Sequence, residues 1–547
     1  MKRARIQDLS GQTFDFIIIG GGITGVSIAR DAAMRGFSVV LLEKEDFAAG
    51  TSSRSTKLLH GGLRYLQQHE FKLVREACRE RELFLYLAPH LAHIRPFIYV
   101  LYRGYPESPL LLNLGLTIYD IFSGNPIKRR HRMLNAKKLL EIEPHLNSAG
   151  LLAGGLYYDS LTDDARLTVE TAKSAFDSGA TIANYAEVVG FISEAGKIQG
   201  VEVLDRLSGA SGSIRAKCVV NATGVWTDRV RALEKGIADR RLRPTKGVHI
   251  VLRKQDYPLQ HAVFLRSPRD QRVAWPIPAL DGDLVYVGTT DTFYEGPLED
   301  VTASSSDIDY LLELARQAIP DAKLDYDSLV GTWAGLRPLV AADSSKSASS
   351  VSREHEIFVS PEGLLNIAGG KLTTARVMAQ QLVDKAIALH GPEFRTRHPR
   401  AIATHKVPLS GGDLESISNA KRAVASIPVS AAIGNRWMSH YGGNAKYLAE
   451  ICATDPSAAQ EMGDGRITPA EIRYVVEEEM AMTVSDFFIR RSTIFFWTQD
   501  GGLAIADQVA AEMARQLGWS SEERAQQVRR YREQVTANRL VPTASHV

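Results

Sequence analysis

Apolar and polar positions are patterned most sharply near the start of the chain. Residues 14–19 (FDFIII) form a β-branched run suited to a parallel strand buried on both faces. Gly20, Gly22 and Gly25 follow in G-x-G-x-x-G register, residues 23–35 read as a helix ending at Gly36, and residues 38–42 (SVVLL) predict a second strand. Glu43 stands at the end of that strand, 18 positions after Gly25. Strand, glycine turn, helix, strand and acid in this order predict a βαβ dinucleotide-binding unit. The glycines let the backbone approach a pyrophosphate, whose charge sits at the helix N-terminus. Glu43 then accepts from an adenosine ribose hydroxyl and would repel a 2′-phosphate, which argues against NADP.

Simple βα repeats stop there. A loop of small polar residues (48–56) leads into KLLHGGLRYL (57–66), and helical periodicity covers residues 70–87, 109–122 and 135–142. Alternating strands run from 181 to 220 and end in CVVNATG. Residues 245–370 are mostly strand (HIVL, VYVGTTD, LLNIAGG), with one helix at 306–318, and another helix begins near Thr373. Beyond residue 400 the pattern turns helical, at 471–488, 502–517 and 521–535, with PSAAQEMGDG as a connecting loop. The expected organisation is a Rossmann-like dinucleotide domain (about 14–85, 150–240 and 355–395) interleaved with a mainly antiparallel-sheet substrate domain (about 86–149 and 241–354). A separate helical domain then covers 401–547.

Composition narrows the function without naming it. The 547 residues are 44% hydrophobic and 23% charged, an ordinary globular balance that excludes a mainly disordered chain. Lys and Arg number 65 against 63 Asp and Glu, so no global field draws the chain to nucleic acid. Cys78, Cys218 and Cys452 lie far apart with no CxxC, arguing against a disulfide framework or thiolate zinc site and for a reducing compartment. His131 and His145 fall in unrelated loops, so no metal site is expected. The apolar stretch 83–102 is broken by His90, His93, Arg95 and two prolines, and 110–122 is too short for a bilayer. The N-terminal MKRARIQDLSGQ lacks the apolar core of a signal peptide. A cytoplasmic protein is expected, unless it lies on a membrane surface.

GGGITGVSIARDAAMRG, TSSRSTKLLHGGLRYL, NATGVW, GTTD, AGLRPL and GGKLTT occur in that order. Together they resemble the FAD-dependent, aerobic glycerol-3-phosphate dehydrogenase family, from about Phe14 to Met378, and the helical region resembles that family's extra C-terminal domain. The resemblance implies FAD on the Rossmann-like unit, with the flavin ring at the junction with the sheet-based domain. Its implied cofactor contacts are Gly20, Gly22, Gly25, Glu43, Ser52, Ser53, Lys57, Gly61, Gly62, Gly224, Gly370 and Leu372. A helix N-terminus near Thr373, aimed at the flavin, would stabilise the anion formed on hydride uptake.

The resemblance also implies glycerol 3-phosphate as substrate, its phosphate held by Arg64 and Lys371. Tyr65 and Thr373 then serve as hydroxyl donors, with Arg353 a weaker candidate. A charge-assisted contact contributes about 1.5–3 kcal/mol, so two or three suffice for useful affinity. Removing the C2 hydride needs a base at the C2 hydroxyl. His249 and His60 compete for that role, because imidazole titrates in the useful range. Arg337, permanently charged, suits polarising the substrate oxygen. An amine-oxidising flavoenzyme fits less well, because an amine substrate gives Arg64 and Lys371 no phosphate to engage.

Electrons must then leave the flavin. The apolar segment 109–122 precedes Lys128, Arg129, Arg130, His131 and Arg132, a combination that can lie on an anionic membrane surface. Docking on the inner face of the cytoplasmic membrane makes a quinone the expected acceptor. The alternative is the soluble oxidase branch of the same family, which reduces oxygen to hydrogen peroxide. A homodimer is compatible with the sequence, and the helical domain is left to support that dimer or to cover the site.

Overall fold

The structure is a computed structural model that describes residues 1–124, 126–237, 239–267, 269–270, 272–280, 282–299, 301–340, 354–391, 394, 400–463 and 465–539. Among them lie two sheets and a helical C-terminal region. The first sheet orders its strands His355–Val359, Leu365–Gly369, Ser211–Asn221, Thr13–Ile19, Val39–Leu42 and Thr181–Ala183. Its centre is parallel, Ile19 standing opposite both Asn221 and Leu42. The FDFIII run is buried on both faces, as its apolar continuity requires. Phe16 and Ile18 pack on one side with the helix Ile23–Met34, and Ile17 and Ile19 pack on the other with Ile214 of the parallel neighbour Ser211–Asn221 and Val201 of the strand antiparallel to that neighbour. Ile23–Met34 lies against the helices Asp164–Asp177 and Ala375–His390.

The second sheet is mainly antiparallel and has ten strands among the described residues. Thr245–Arg253 pairs with Leu284–Gly288 on one side and Leu329–Arg337 on the other. The period-2 alternation of Thr245–Arg253 sorts its side chains. Val248, Ile250 and Leu252 face a core that includes the helix Ser305–Ala318, while Val251 faces a second core shared with the C-terminal helices. Residues 151–161, expected among the cofactor-binding segments, instead pair with His93–Tyr102 in this second sheet.

The helical periodicities resolve into Phe71–Leu87, Pro109–Ser123, Ala136–Ile142 and Ser305–Ala318. Pro109–Ser123 starts where the Ser108 side chain accepts from Leu111 N and ends where Gly124 enters the left-handed region. The continuous helix expected over 471–488 is broken. Pro469–Glu479 ends at Met480, which has φ +55, and a wider π-helical turn, Asp486–Arg491, follows. Tertiary partners cause the break: Asn184 Nδ2 donates to Met480 O at 2.9 Å, and Arg491 Nη2 donates to Glu479 O at 2.7 Å. No described helix is long and apolar enough to cross a membrane.

Candidate functional site

A cavity of about 330 Å³ opens at the C-terminal ends of the parallel strands of the first sheet. Of the residues proposed from sequence, Gly20, Gly22, Glu43, Ser52, Gly224, Gly370, Lys371 and Leu372 line it. The glycine turn is required sterically. A Cβ on Gly20 would lie 2.7 Å from Ala222 O, and one on Gly25 only 1.9 Å from Gly20 O, so Gly25 acts beneath the cavity by letting the helix close on the turn. The helix N-terminus opens into the cavity. Gly22, its N-cap, offers no side chain, and Ile23 N–H is met by Ser52 Oγ at 3.0 Å.

Glu43 accepts from Gly21 N–H at 2.6 Å and Glu45 N–H at 2.8 Å. Burial pushes its carboxyl up to about 7, so a ligand hydroxyl donated to it would favour the ionised form. The loop after Glu43 is fixed from two directions: Ala48 N–H donates to Gly21 O at 3.1 Å, and buried Asp46 accepts from Arg490 Nε at 2.7 Å and Arg491 Nη1 at 2.8 Å. Asn221 of the NATG segment donates to Asn366 Oδ1 at 2.9 Å and to Thr227 O at 3.0 Å, tying its strand to the parallel neighbour and to the helix that follows NATG.

Other proposed cofactor contacts are turned elsewhere. Ser53 is fully buried without a hydrogen-bond partner on its hydroxyl, and Lys57 makes a buried ion pair with Asp164 at 2.6 Å. Neither lines the cavity. Gly61 N–H donates to Tyr119 Oη at 2.8 Å; that hydroxyl donates to Asp159, which Arg81 holds at 2.8 Å. A Cβ on Gly61 would sit 2.3 Å from Cys78 Sγ. The HGGLRYL segment is thus pinned by buried side chains from Phe71–Leu87, Pro109–Ser123 and the second sheet.

Of the proposed substrate residues, Lys371 lines the cavity, Tyr65 packs against Lys371, and Arg64 packs against Tyr65. The Lys371 ammonium lies 3.8 Å from the Tyr65 ring centroid, and the Arg64 guanidinium lies 4.8 Å from it, with Nη2 donating to Tyr65 Oη at 3.0 Å. Thr373 Oγ1 accepts from His60 N–H at 3.1 Å, tying this segment to GGKLTT. His60, Gly62 and Arg64 also line a small hollow with Trp275 and Phe264. Arg353 lies outside the described residues.

His249 and Arg337 occupy paired strands and meet the same turn. Arg337 donates from Nη2 to Thr289 Oγ1 at 2.9 Å and from Nη1 to Asp291 at 3.0 Å. The His249 ring lies parallel to Trp333, centroids 4.6 Å apart, and its Nε2 is 3.0 Å from Thr56 Oγ1. Its Nδ1 has no hydrogen-bond partner. Burial, reinforced by the Arg337 and Lys57 charges, pushes this imidazole well below its ordinary range and keeps it neutral, the form able to accept a proton. Ser55 and Pro338, each one residue from these contacts, line the cofactor cavity. Sequence reading missed Asp164, Thr56, Trp333 and Asp159. Each is defined by a partner distant in sequence, and no local motif marks it.

This cradle of backbone approach, open helix N-terminus and buried acid fits a flavin adenine dinucleotide. The chain matches the FAD dependent oxidoreductase family over residues 15–385 and the C-terminal domain of alpha-glycerophosphate oxidase over 402–524. It belongs to the FAD-dependent oxidoreductases and is a flavoenzyme. Within them it falls in the aerobic glycerol-3-phosphate dehydrogenase family. The enzyme of that name from Staphylococcus saprophyticus is 38% identical over 533 residues, covering 96% of this chain and 95% of that one. The Bacillus subtilis enzyme is 37% identical over 526 residues, covering 94% of each. The structure of glycerol-3-phosphate dehydrogenase from Bacillus halodurans complexed with FAD aligns over 99% of this chain and 98% of its own, with TM-score 0.80 and 31% identity. L-alpha-glycerophosphate oxidase from Mycoplasma pneumoniae, solved with FAD bound, shares the fold at TM-score 0.53 and 19% identity, covering 68% of this chain and 94% of its own.

Proposed function

We propose that the enzyme oxidises sn-glycerol 3-phosphate to dihydroxyacetone phosphate and delivers the electrons to a membrane quinone. The observation that carries this reading is the pairing of Arg64 and Lys371 over one tyrosine ring, Lys371 itself lining the cofactor cavity. Two cations on one ring repel each other, and a phosphate dianion between them turns that repulsion into two charge-assisted contacts. The names of the relatives support the same substrate.

FAD, when bound, supplies the acceptor for the C2 hydride. The protein groups do the rest. Arg64 and Lys371 hold the phosphate, Tyr65 and Thr373 orient the chain, and Arg337 stabilises negative charge on the C2 oxygen. His249 takes the C2 hydroxyl proton on its neutral ring, with His60 the competing base. Glu43 receives the ribose hydroxyls, and the N-terminus of Ile23–Met34 receives the pyrophosphate.

The test is anaerobic addition of sn-glycerol 3-phosphate to flavin-loaded protein, following the oxidised flavin band. Bleaching supports the assignment, and recovery of colour faster with a short-chain quinone than with oxygen supports the dehydrogenase. Absence of bleaching removes the substrate, and faster recovery with oxygen favours the oxidase alternative.

Membrane docking is supported by the outer face of Pro109–Ser123. Leu110 is 78% exposed, Ile121 70% and the following Ile127 81%, while Leu112, Leu116 and Tyr119 face inward. Lys128, Arg130 and Arg132 are exposed beside it, whereas Arg129 pairs with Glu82 and His131 with Asp120. Reversing Lys128, Arg130 and Arg132 to Glu should weaken binding to phosphatidylserine-containing vesicles about 100-fold or more, at about 1 kcal/mol per basic residue. Unchanged co-sedimentation would remove the docking surface from this reading.

A further inference from the structure

The face of the second sheet that carries His249 is covered by the C-terminal helical domain. Val251 and Trp333 share one core with Phe487, Phe488, Phe495 and Phe496. Within it, Phe496 meets Trp333 edge-on at 5.6 Å, and Trp497 meets Trp333 edge-on at 5.9 Å. Trp333 in turn lies flat on the imidazole of His249 at 4.6 Å and 12°.

The contacts close a ring around that imidazole. Trp333 Nε1 donates to Ser55 O at 3.2 Å, Thr56 Oγ1 meets His249 Nε2, and the Lys57 ammonium lies 4.5 Å from the Phe496 ring centroid. Three consecutive residues of the loop before HGGLRYL therefore bind, in turn, the tryptophan, the histidine and the C-terminal domain. The turn bearing Phe496 and Trp497 is itself anchored. Arg539, at the end of the last described helix, donates to the Phe495, Thr498 and Gln499 carbonyls, and the preceding Asn538 O accepts from Thr332 Oγ1 at 3.0 Å. Thr332 sits beside Trp333 on the strand that ends at Arg337.

We propose that the C-terminal domain is an arm of the active site, in which Phe496 and Trp497 are positioning residues that hold Trp333 and, through it, set the plane of the His249 imidazole. The inference rests on His249 being the base of the proposed reaction. A ring fixed on one face by an indole, at its edge by a threonine hydroxyl and behind by Gly288 presents a single orientation to the substrate. A Cβ on Gly288 would lie 2.0 Å from His249 Cδ2, so that face of the sheet has no slack. The charged and titratable groups facing the ring are Arg337 with its partner Asp291, Lys57 with Asp164, and Tyr286 across the sheet. Loosening the aromatic stack lets the ring tilt and water reach it.

The test uses the full-length holoenzyme with Trp497→Leu, Phe496→Leu and the conservative Trp497→Phe. Trp497 is only half-buried, so its replacement leaves the fold intact even if Phe496→Leu does not. Single-turnover flavin reduction by glycerol 3-phosphate should slow about 100-fold in Trp497→Leu, as expected for misplacement of a reacting group. The substrate dissociation constant and the flavin content should stay unchanged, and Trp497→Phe should restore most of the rate. In a separate readout, [13C]histidine-labelled protein, with His249→Gln to assign the resonance, should show the wild-type imidazole neutral far into acid. In Trp497→Leu it should titrate nearer its ordinary value. Full-speed reduction in Trp497→Leu and Phe496→Leu, or a loss tracking flavin content alone with an unmoved resonance, would overturn the positioning role. Full-speed reduction in His249→Gln would instead remove the base assignment beneath it.

Discussion

The cofactor cradle and the strands that carry His249 and Arg337 are built on opposite plans. In the cradle, residues 13–43 bring backbone together, and a Cβ placed on Gly20 or Gly25 meets other backbone: Ala222 O at 2.7 Å, Gly20 O at 1.9 Å. On the His249 and Arg337 strands, the arrangement is set by side-chain ends from Thr56, His249, Thr289, Trp333 and Arg337. A Cβ placed on Gly247 meets a movable group, Arg337 Nη2 at 2.5 Å. The cradle therefore tolerates almost no added atom and determines whether the cofactor binds. The strands tolerate small shifts without unfolding and, on the proposed reaction, set how fast the bound enzyme turns over.

Gly25→Ala breaks the comparison from the cradle side and carries the largest effect. The new methyl cannot coexist with Gly20 O, and forcing the helix away should cost about 3 kcal/mol or more. The purified protein should lack the flavin band, measured as the visible-to-ultraviolet absorbance ratio; retained flavin would mean the helix can withdraw without opening the cavity. Gly247→Ala is the matching change on the strands. Its methyl should push Arg337 aside, leave flavin content at wild-type level and lower the rate of flavin reduction about 10- to 100-fold. Loss of flavin from this variant would erase the distinction between the two regions.

A smaller effect sharpens the cradle's electrostatics. Glu43 has its carboxyl pushed by burial from an ordinary 4.5 to about 7. Between those values the folded apoprotein holds a proton that the unfolded chain has released, so its contribution to stability is present below pH 4.5 and is lost as pH rises through 7. FAD hydroxyls donated to the carboxylate favour the ionised form, so FAD binding should expel that proton. The FAD dissociation constant should then fall with rising pH between about 5 and 7, by at most about tenfold per unit, and flatten above. Glu43→Gln should abolish the slope in fluorescence titrations of apoprotein. A slope that persists would assign the proton to another group.

The same division decides what could be read before the fold was known. FDFIII, the glycine triad, the helix to Met34 and Glu43 were legible because strand and helix periods, turn chemistry and steric need act within about thirty residues. The helices at 71–87, 109–123 and 305–318 were legible for the same reason. The unbroken helix expected at 471–488 failed because Asn184 and Arg491 claim the carbonyls of Met480 and Glu479, and neither donor can be inferred from the local period. Lys57 is implied as a flavin contact by its loop's resemblance to the family's flavin-contacting segment; in the structure Asp164, more than a hundred residues on, holds its ammonium in a buried pair.

By itself the sequence determined that a dinucleotide is bound, pointed to the glycine turn and Glu43 as its cradle, and marked which basic and imidazole side chains stand in reserve. Those features depend on backbone conformation and residue chemistry, which are local. Only the tertiary structure decided which reserves meet over one tyrosine ring, which lysine is spent in the core, and that a C-terminal turn braces the ring of His249. Those outcomes depend on burial and on pairing between residues far apart in the chain. A charge or a ring gains its direction only from the neighbour that folding brings against it.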